Sequence, residues 1–78
     1  MVNQVLELSR WLEASSRAAN RASDADRIAD AISSAMTGGE LVSNLGVVVR
    51  GLLRTEIDPD QRRTAATIAE QISQVWAT

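Results

Sequence analysis

Hydrophobic residues recur along this chain at the three- and four-residue spacing of amphipathic helices. Over residues 2–22 they fall on one side of a helical wheel and most charged residues fall on the other, which predicts a first helix. Residues 24–36 sort in the same way, with Ser23 as the expected N-cap and Gly38-Gly39 as the expected left-handed end. Since neither Gly nor Pro separates these two segments, the pattern equally allows one bent helix.

A third helix is predicted over residues 40–55, although the consecutive valines in this segment also favour a strand. A helical wheel at 100° per residue gathers most of its apolar side chains on an arc of roughly 140°. A single strand without a partner would not be stable, so the helix is favoured. An apolar arc this wide indicates either the central helix of the core or a helix that takes part in an interface between subunits.

The sequence around Pro59 predicts the start of a fourth helix, which extends to about Trp76. Asp58 is the expected N-cap, Pro59 suits the first helical position, and Gln61 is expected to complete a capping box. Amphipathic helices joined by short connections are typical of an all-α fold. We therefore predict one compact bundle of about four short helices, with residues 1–78 as a single domain.

The absence of several residue types limits the reactions that the chain could catalyse and the metal ions that it could bind. It contains no Cys, His, Lys or Tyr, so the usual nucleophile–base pairs and the nitrogen and sulfur ligands of zinc are missing. Asp24, Asp26 and Asp30 form a candidate cluster of oxygen ligands, but their position in or next to a helix start favours the ordinary role of first-turn charges. We predict that the protein is not an enzyme and has no catalytic residues, cofactor or metal site.

Charge and hydropathy favour a soluble protein. The formal net charge is −2, and no apolar stretch reaches the roughly 20 residues that a membrane-spanning helix needs. We therefore expect a cytoplasmic protein without a membrane partner. All eight basic residues are Arg, which is typical of GC-rich coding sequences and points to a bacterial or phage source.

The surplus of apolar surface on the third helix predicts a protein–protein interaction module. We expect it to self-associate as a homodimer and to act as an adaptor, an inhibitor or a bacterial or phage accessory protein. Gly46 borders the apolar arc, and its lack of a side chain would let a partner helix approach closely. The expected interface residues are Leu45, Gly46, Val48, Val49, Leu52 and Trp76.

A small dimeric DNA-binding regulator is the alternative. The second helix, the Gly38-Gly39 turn and the third helix have roughly the lengths of a helix-turn-helix motif. In a dimer the basic residues of the third and fourth helices would form a stripe, although the chain is acidic overall. The candidate nucleic-acid contacts are Arg50, Arg54, Arg62 and Arg63.

Overall fold

The computed structural model describes residues 2–77, and it describes the side chains of residues 3–75. The described chain folds into a bundle of α1 (Val2–Ala18), α2 (Ala22–Ser33), α3 (Gly38–Leu52) and α4 (Pro59–Ala77). Each helix packs on its neighbour in the chain, and α4 returns to pack on α1. The predicted all-α bundle is therefore confirmed. No helix in this part of the chain is long and apolar enough to cross a membrane.

α1 and α2 are two separate helices, so the alternative of one bent helix is wrong. Asn20 has a φ angle of 62°, in the left-handed region. The amide of Arg21 donates to the carbonyl of Ser16 at 2.8 Å, and the amide of Asn20 donates to the carbonyl of Arg17 at 3.2 Å. These two bonds form a Schellman motif, which ends α1 before residue 22. Ser23 consequently lies inside the first turn of α2 and is not its N-cap.

The two consecutive glycines begin α3, whereas the sequence pattern predicted that they end α2. No glycine of the described chain has a positive φ angle, so the expected left-handed end is not formed. Thr37 is instead the N-cap of α3, in an extended conformation. Its Oγ1 atom accepts a hydrogen bond of 3.1 Å from the amide of Glu40, which satisfies one of the free donors at the helix start.

α4 begins at Pro59, as predicted, but the expected capping box does not form. In such a box the Gln61 side-chain oxygen would accept a hydrogen bond from the N-cap amide. Here that oxygen has no partner within the described chain, and the Gln61 Nε2 atom donates to the Ser15 hydroxyl on α1 at 3.0 Å. The side chain therefore connects two helices rather than capping its own.

The core is centred on α3, which packs against α2 and α4 and also contacts α1. Aliphatic residues of all four helices meet there, among them Val5, Ile28 and Ile68. Each such side chain contributes about 1.5–3 kcal/mol when it is buried fully. Helical periodicity places Trp11 on the apolar side of α1, but its side chain is 46% exposed. Ser9 and Ser16 share the buried side of α1 instead.

Candidate functional site

The structure encloses most of the predicted interface residues in the core of the single chain. Val48 remains partly exposed, and the side chain of Trp76 lies outside the described residues. The neighbouring helices cover the others, because α3 contacts all three of them. The predicted interface residues that are buried within the chain are Leu45, Gly46, Val49 and Leu52.

The close helix approach expected at Gly46 occurs within the chain. A Cβ atom built on Gly46 would lie 3.6 Å from the Ile72 Cγ2 atom of α4. It would also lie 3.6 Å from the Arg50 Nη2 atom, one turn further along α3. α4 therefore occupies the side of α3 on which a second subunit had been expected.

The side of α3 that stays exposed borders a surface groove next to α2. Val47 is 65% exposed and Val48 is partly buried beside it. Gly51 leaves the backbone accessible, since a Cβ atom there would meet no heavy atom within 4 Å. The groove has a volume of about 470 Å³. We call it the α2/α3 groove, and its lining residues are Arg27, Val47, Val48, Arg50, Gly51 and Arg54.

The same two valines and Arg27 also border a second depression, which extends the groove along the seam between α2 and α3. Polar residues line its far end, including Asp30 and Asn44. The Asn44 Nδ2 atom donates to the Ala31 carbonyl at 3.3 Å and to the Ser34 hydroxyl at 3.4 Å. These bonds tie α3 to the end of α2 and fix the position of the valines relative to α2.

The arginines of the chain fall into two groups according to their partners. Arg17, Arg21 and Arg63 form ion pairs with nearby carboxylates, and Arg62 donates to main-chain carbonyls. The guanidinium groups of the second group have no ion-pair or hydrogen-bond partner within the part of the chain that the structure describes. It consists of Arg10, Arg27, Arg50 and Arg54. Arg27, Arg50 and Arg54 line the α2/α3 groove, and we call them the groove arginines.

The residues predicted to contact nucleic acid are consequently divided. Arg50 and Arg54 lie together in the groove. Arg62 instead binds the Leu53 carbonyl at 3.1 Å and the Thr55 carbonyl at 2.7 Å. Arg63 lies 3.5 Å from an exposed Asp60 carboxylate, a pair that holds it only weakly.

Arg27 was not among the candidates from the sequence. It lies on the polar side of α2, and its place beside Val47 depends on how α2 packs on α3. Helical periodicity shows that this side chain is exposed but does not show which helix it faces. Val47 is not among the predicted interface residues, because it lies outside the apolar arc of α3 that forms the core.

Two of the three candidate aspartates, Asp24 and Asp26, form ion pairs with arginines, whereas Asp30 forms none within the described chain. Asp24 lies 2.7 Å from the Arg21 guanidinium, and Asp26 lies 3.2 Å from that of Arg17. Among the described residues, no group of three or more carboxylates is placed to hold a metal ion. Asp24 and Asp26 therefore act as partners of arginines at the start of α2.

Comparison of the chain with protein-family models, with curated proteins and with solved structures gives no match. In the α2/α3 groove, an exposed valine and a partly buried one lie among guanidinium groups. Arginine is enriched at protein interfaces, and this combination is typical of a surface that contacts another macromolecule.

Proposed function

We propose that this protein is a non-enzymatic interaction module that binds a protein partner on the α2/α3 groove. The proposal depends chiefly on Val47, an aliphatic side chain that is 65% exposed and lies among the groove arginines. Covering apolar surface is favourable by about 25 cal/mol per Å². A partner that covers Val47 and Val48 would gain this free energy at the centre of the contact, with arginines at its edge.

The lining of the groove also supports a binding role over a catalytic one. Guanidinium groups stay protonated in proteins, so they do not serve as general bases, and valine has no reactive atoms. The groove therefore offers shape, apolar surface and positive charge. These properties suit recognition of a partner, and we propose an adaptor, inhibitor or accessory role on that basis.

A different protein suits this groove better than a second copy of the chain. A symmetric dimer brings the same patch of both subunits together, so the groove arginines of each copy would face those of the other. Like charges placed together across an interface oppose binding. Self-association through Leu45, Val49 and Leu52 would require these side chains to leave the core. The proposed complex is therefore heteromeric.

Val47→Asp tests the docking role of the groove. Tagged wild type and variant are isolated from the natural host, and the associated proteins are quantified by mass spectrometry. Ser43→Asp is the matched control, because Ser43 is exposed one helical turn before Val47 and receives the same charge. We expect a partner that wild type and Ser43→Asp retain and Val47→Asp loses. Unchanged association of every protein with Val47→Asp would refute the proposal.

DNA binding is the second candidate, favoured by the convergence of the groove arginines. Against it, Arg62 and Arg63 are engaged within the chain, and the net charge is −2. Binding driven by phosphate contacts weakens steeply as salt rises, so it is strongest at about 50 mM salt or below. Fluorescence anisotropy with a short labelled duplex at that salt concentration tests the candidate. An absence of binding would eliminate it.

A further inference from the structure

We infer that the partner presents an acidic amphipathic segment to the α2/α3 groove, in which carboxylates flank one or two aliphatic side chains. This inference rests on the proposed docking function and specifies the chemistry of the partner. It follows from the floor of the groove, from the charges at its rim and from the way the chain pairs its other charges.

The aliphatic residues at the floor of the groove, Val47 and Val48, determine which apolar side chains a partner would need. Val47 is the most exposed aliphatic side chain of α3, and Val48 lies beside it with its other side against the core. At Gly51 there is open space where a Cβ atom would stand. A partner side chain can therefore reach the backbone of α3 at this point. A volume of about 470 Å³ accommodates a few side chains of a segment, and a helix can supply them at three- and four-residue spacing.

The groove arginines, which lie at its rim, determine the charge expected of the partner. Arg50 lies in the last turn of α3 and Arg54 lies in the turn that follows the helix. Both line the groove, so like charges are gathered there and repel each other. Arg27 adds a third positive charge from α2. None of the three has an acidic partner within the described chain. A carboxylate from outside would relieve this repulsion, and guanidinium groups bind carboxylates through paired hydrogen bonds.

Most arginines outside the groove have partners within the chain. Arg17, Arg21 and Arg63 each lie within 3.5 Å of a carboxylate, and Arg10 is the one described arginine there whose guanidinium has no partner. Asp30 lines the neighbouring depression but forms no ion pair with the groove arginines. Positive charge is thus uncompensated where the aliphatic floor is exposed. A nucleic acid would place phosphates on the arginines but would not bury the valines as an aliphatic side chain would.

Two synthetic helical peptides test the inference. They share one stripe of Leu residues, and the flanking positions carry Glu in one peptide and Gln in the other. Binding to the isotope-labelled chain is followed by NMR shifts of the amides that line the groove. We expect the Glu peptide to bind about tenfold more tightly at low salt, and added salt to reduce the difference. In the double variant Arg50→Gln/Arg54→Gln, the preference for the Glu peptide should shrink, because Arg27 is then the one positive charge left at the groove. Arg10→Gln is the control, since Arg10 is an exposed arginine outside this groove.

The outcomes separate this inference from the function on which it rests. Equal binding of both peptides at the groove overturns the acidic partner and leaves the docking function supported. If neither peptide shifts the groove amides, the inference is refuted, and Val47→Asp decides the docking function independently. Stronger binding of a DNA duplex, lost in the double variant, replaces the protein partner with nucleic acid. Groove shifts that depend on protein concentration alone identify a second copy as the occupant and also overturn the inference.

Discussion

The side chain of Gln61 on α4 donates a hydrogen bond of 3.0 Å to the hydroxyl of Ser15 on α1. Gln61 is only 2% exposed, and its Oε1 atom accepts no hydrogen bond from any residue that the structure describes. One buried hydrogen bond contributes about 1 kcal/mol, whereas an unsatisfied buried acceptor costs about 1–3 kcal/mol. The contact therefore orients α4 on α1 without a net gain in stability.

We predict that Gln61→Met increases the free energy of unfolding by about 1 kcal/mol, because Met has a similar volume and no buried acceptor. Urea denaturation followed by circular dichroism measures the change. Gln74→Met on the exposed side of α4 is the control and should change stability by less than about 0.5 kcal/mol. A loss of stability in Gln61→Met would contradict the prediction.

Arg21 joins the start of α2 to the loop at residues 53–58. Its guanidinium lies 2.7 Å from the Asp24 carboxylate and donates to the Glu56 carbonyl at 2.6 Å and to the Thr55 hydroxyl at 3.3 Å. Lys cannot reproduce this planar set of donors. We expect Arg21→Lys to lower the free energy of unfolding by about 1 kcal/mol.

Hydrogen exchange of the amides at residues 53–58 checks the local part of this prediction. Exchange should accelerate in Arg21→Lys, because the loop loses contacts to α2. Arg27→Lys is the matched control, since Arg27 has no partner in the described chain. Equal exchange rates in the two variants would show that Arg21 does not hold the loop.

Asn20 provides a test of the turn between α1 and α2. Its φ angle of 62° is accessible to Asn and Gly but unfavourable for Ala by about 1 kcal/mol. We predict that Asn20→Gly leaves the melting temperature unchanged or raises it, and that Asn20→Ala lowers it. Differential scanning calorimetry of the pair measures the difference. If α1 and α2 formed one continuous helix in solution, the order would be reversed, because Ala is the better helix former.

Gly46 is predicted to accept a methyl group. A Cβ atom there would be 3.6 Å from Ile72, which is an ordinary van der Waals distance, and Ala favours a helix over Gly by about 1 kcal/mol. Gly46→Ala should therefore increase the free energy of unfolding by about 0.5–1 kcal/mol. Gly51→Ala should give a similar increase, since the space at Gly51 is open. Destabilisation by Gly46→Ala alone would reveal a tighter contact between α3 and α4.

The number and type of the helices could be predicted because each has an apolar side that must be buried. Even the valine-rich α3 was predicted correctly, since its apolar residues sort by helical rather than by strand spacing. The ends of the helices are harder to predict from the sequence, because apolar periodicity continues past Asn20 although the backbone turns there. The sequence contains a signal for each end. Asn20 is a residue type that favours a left-handed turn after a helix, and Thr37 followed three residues later by Glu40 is a signal for the N-cap of α3.

The candidate site was harder to predict from the sequence than the fold. A wide apolar arc on α3 shows that much of the helix is covered, but the amount that one chain covers depends on the packing of α2 and α4. Whether an arginine is free depends on contacts between distant segments. Arg62, for example, is engaged by main-chain carbonyls that no sequence pattern identifies. The groove arginines could therefore be distinguished from the others only in three dimensions.

Arg21 and Arg62 both attach to main-chain oxygens of the segment that follows α3, namely those of Leu53, Thr55 and Glu56. Every amino acid supplies such an oxygen. The attachment is therefore indifferent to most side chains in this segment but sensitive to its length, because an inserted residue would displace the oxygens from the two guanidinium groups. Orthologues should consequently conserve the spacing of this segment and vary most freely at Glu56, since Leu53 packs on the core and the Thr55 hydroxyl accepts a hydrogen bond from Arg21. A fluorophore attached at position 56 would be tolerated, whereas an inserted residue would not.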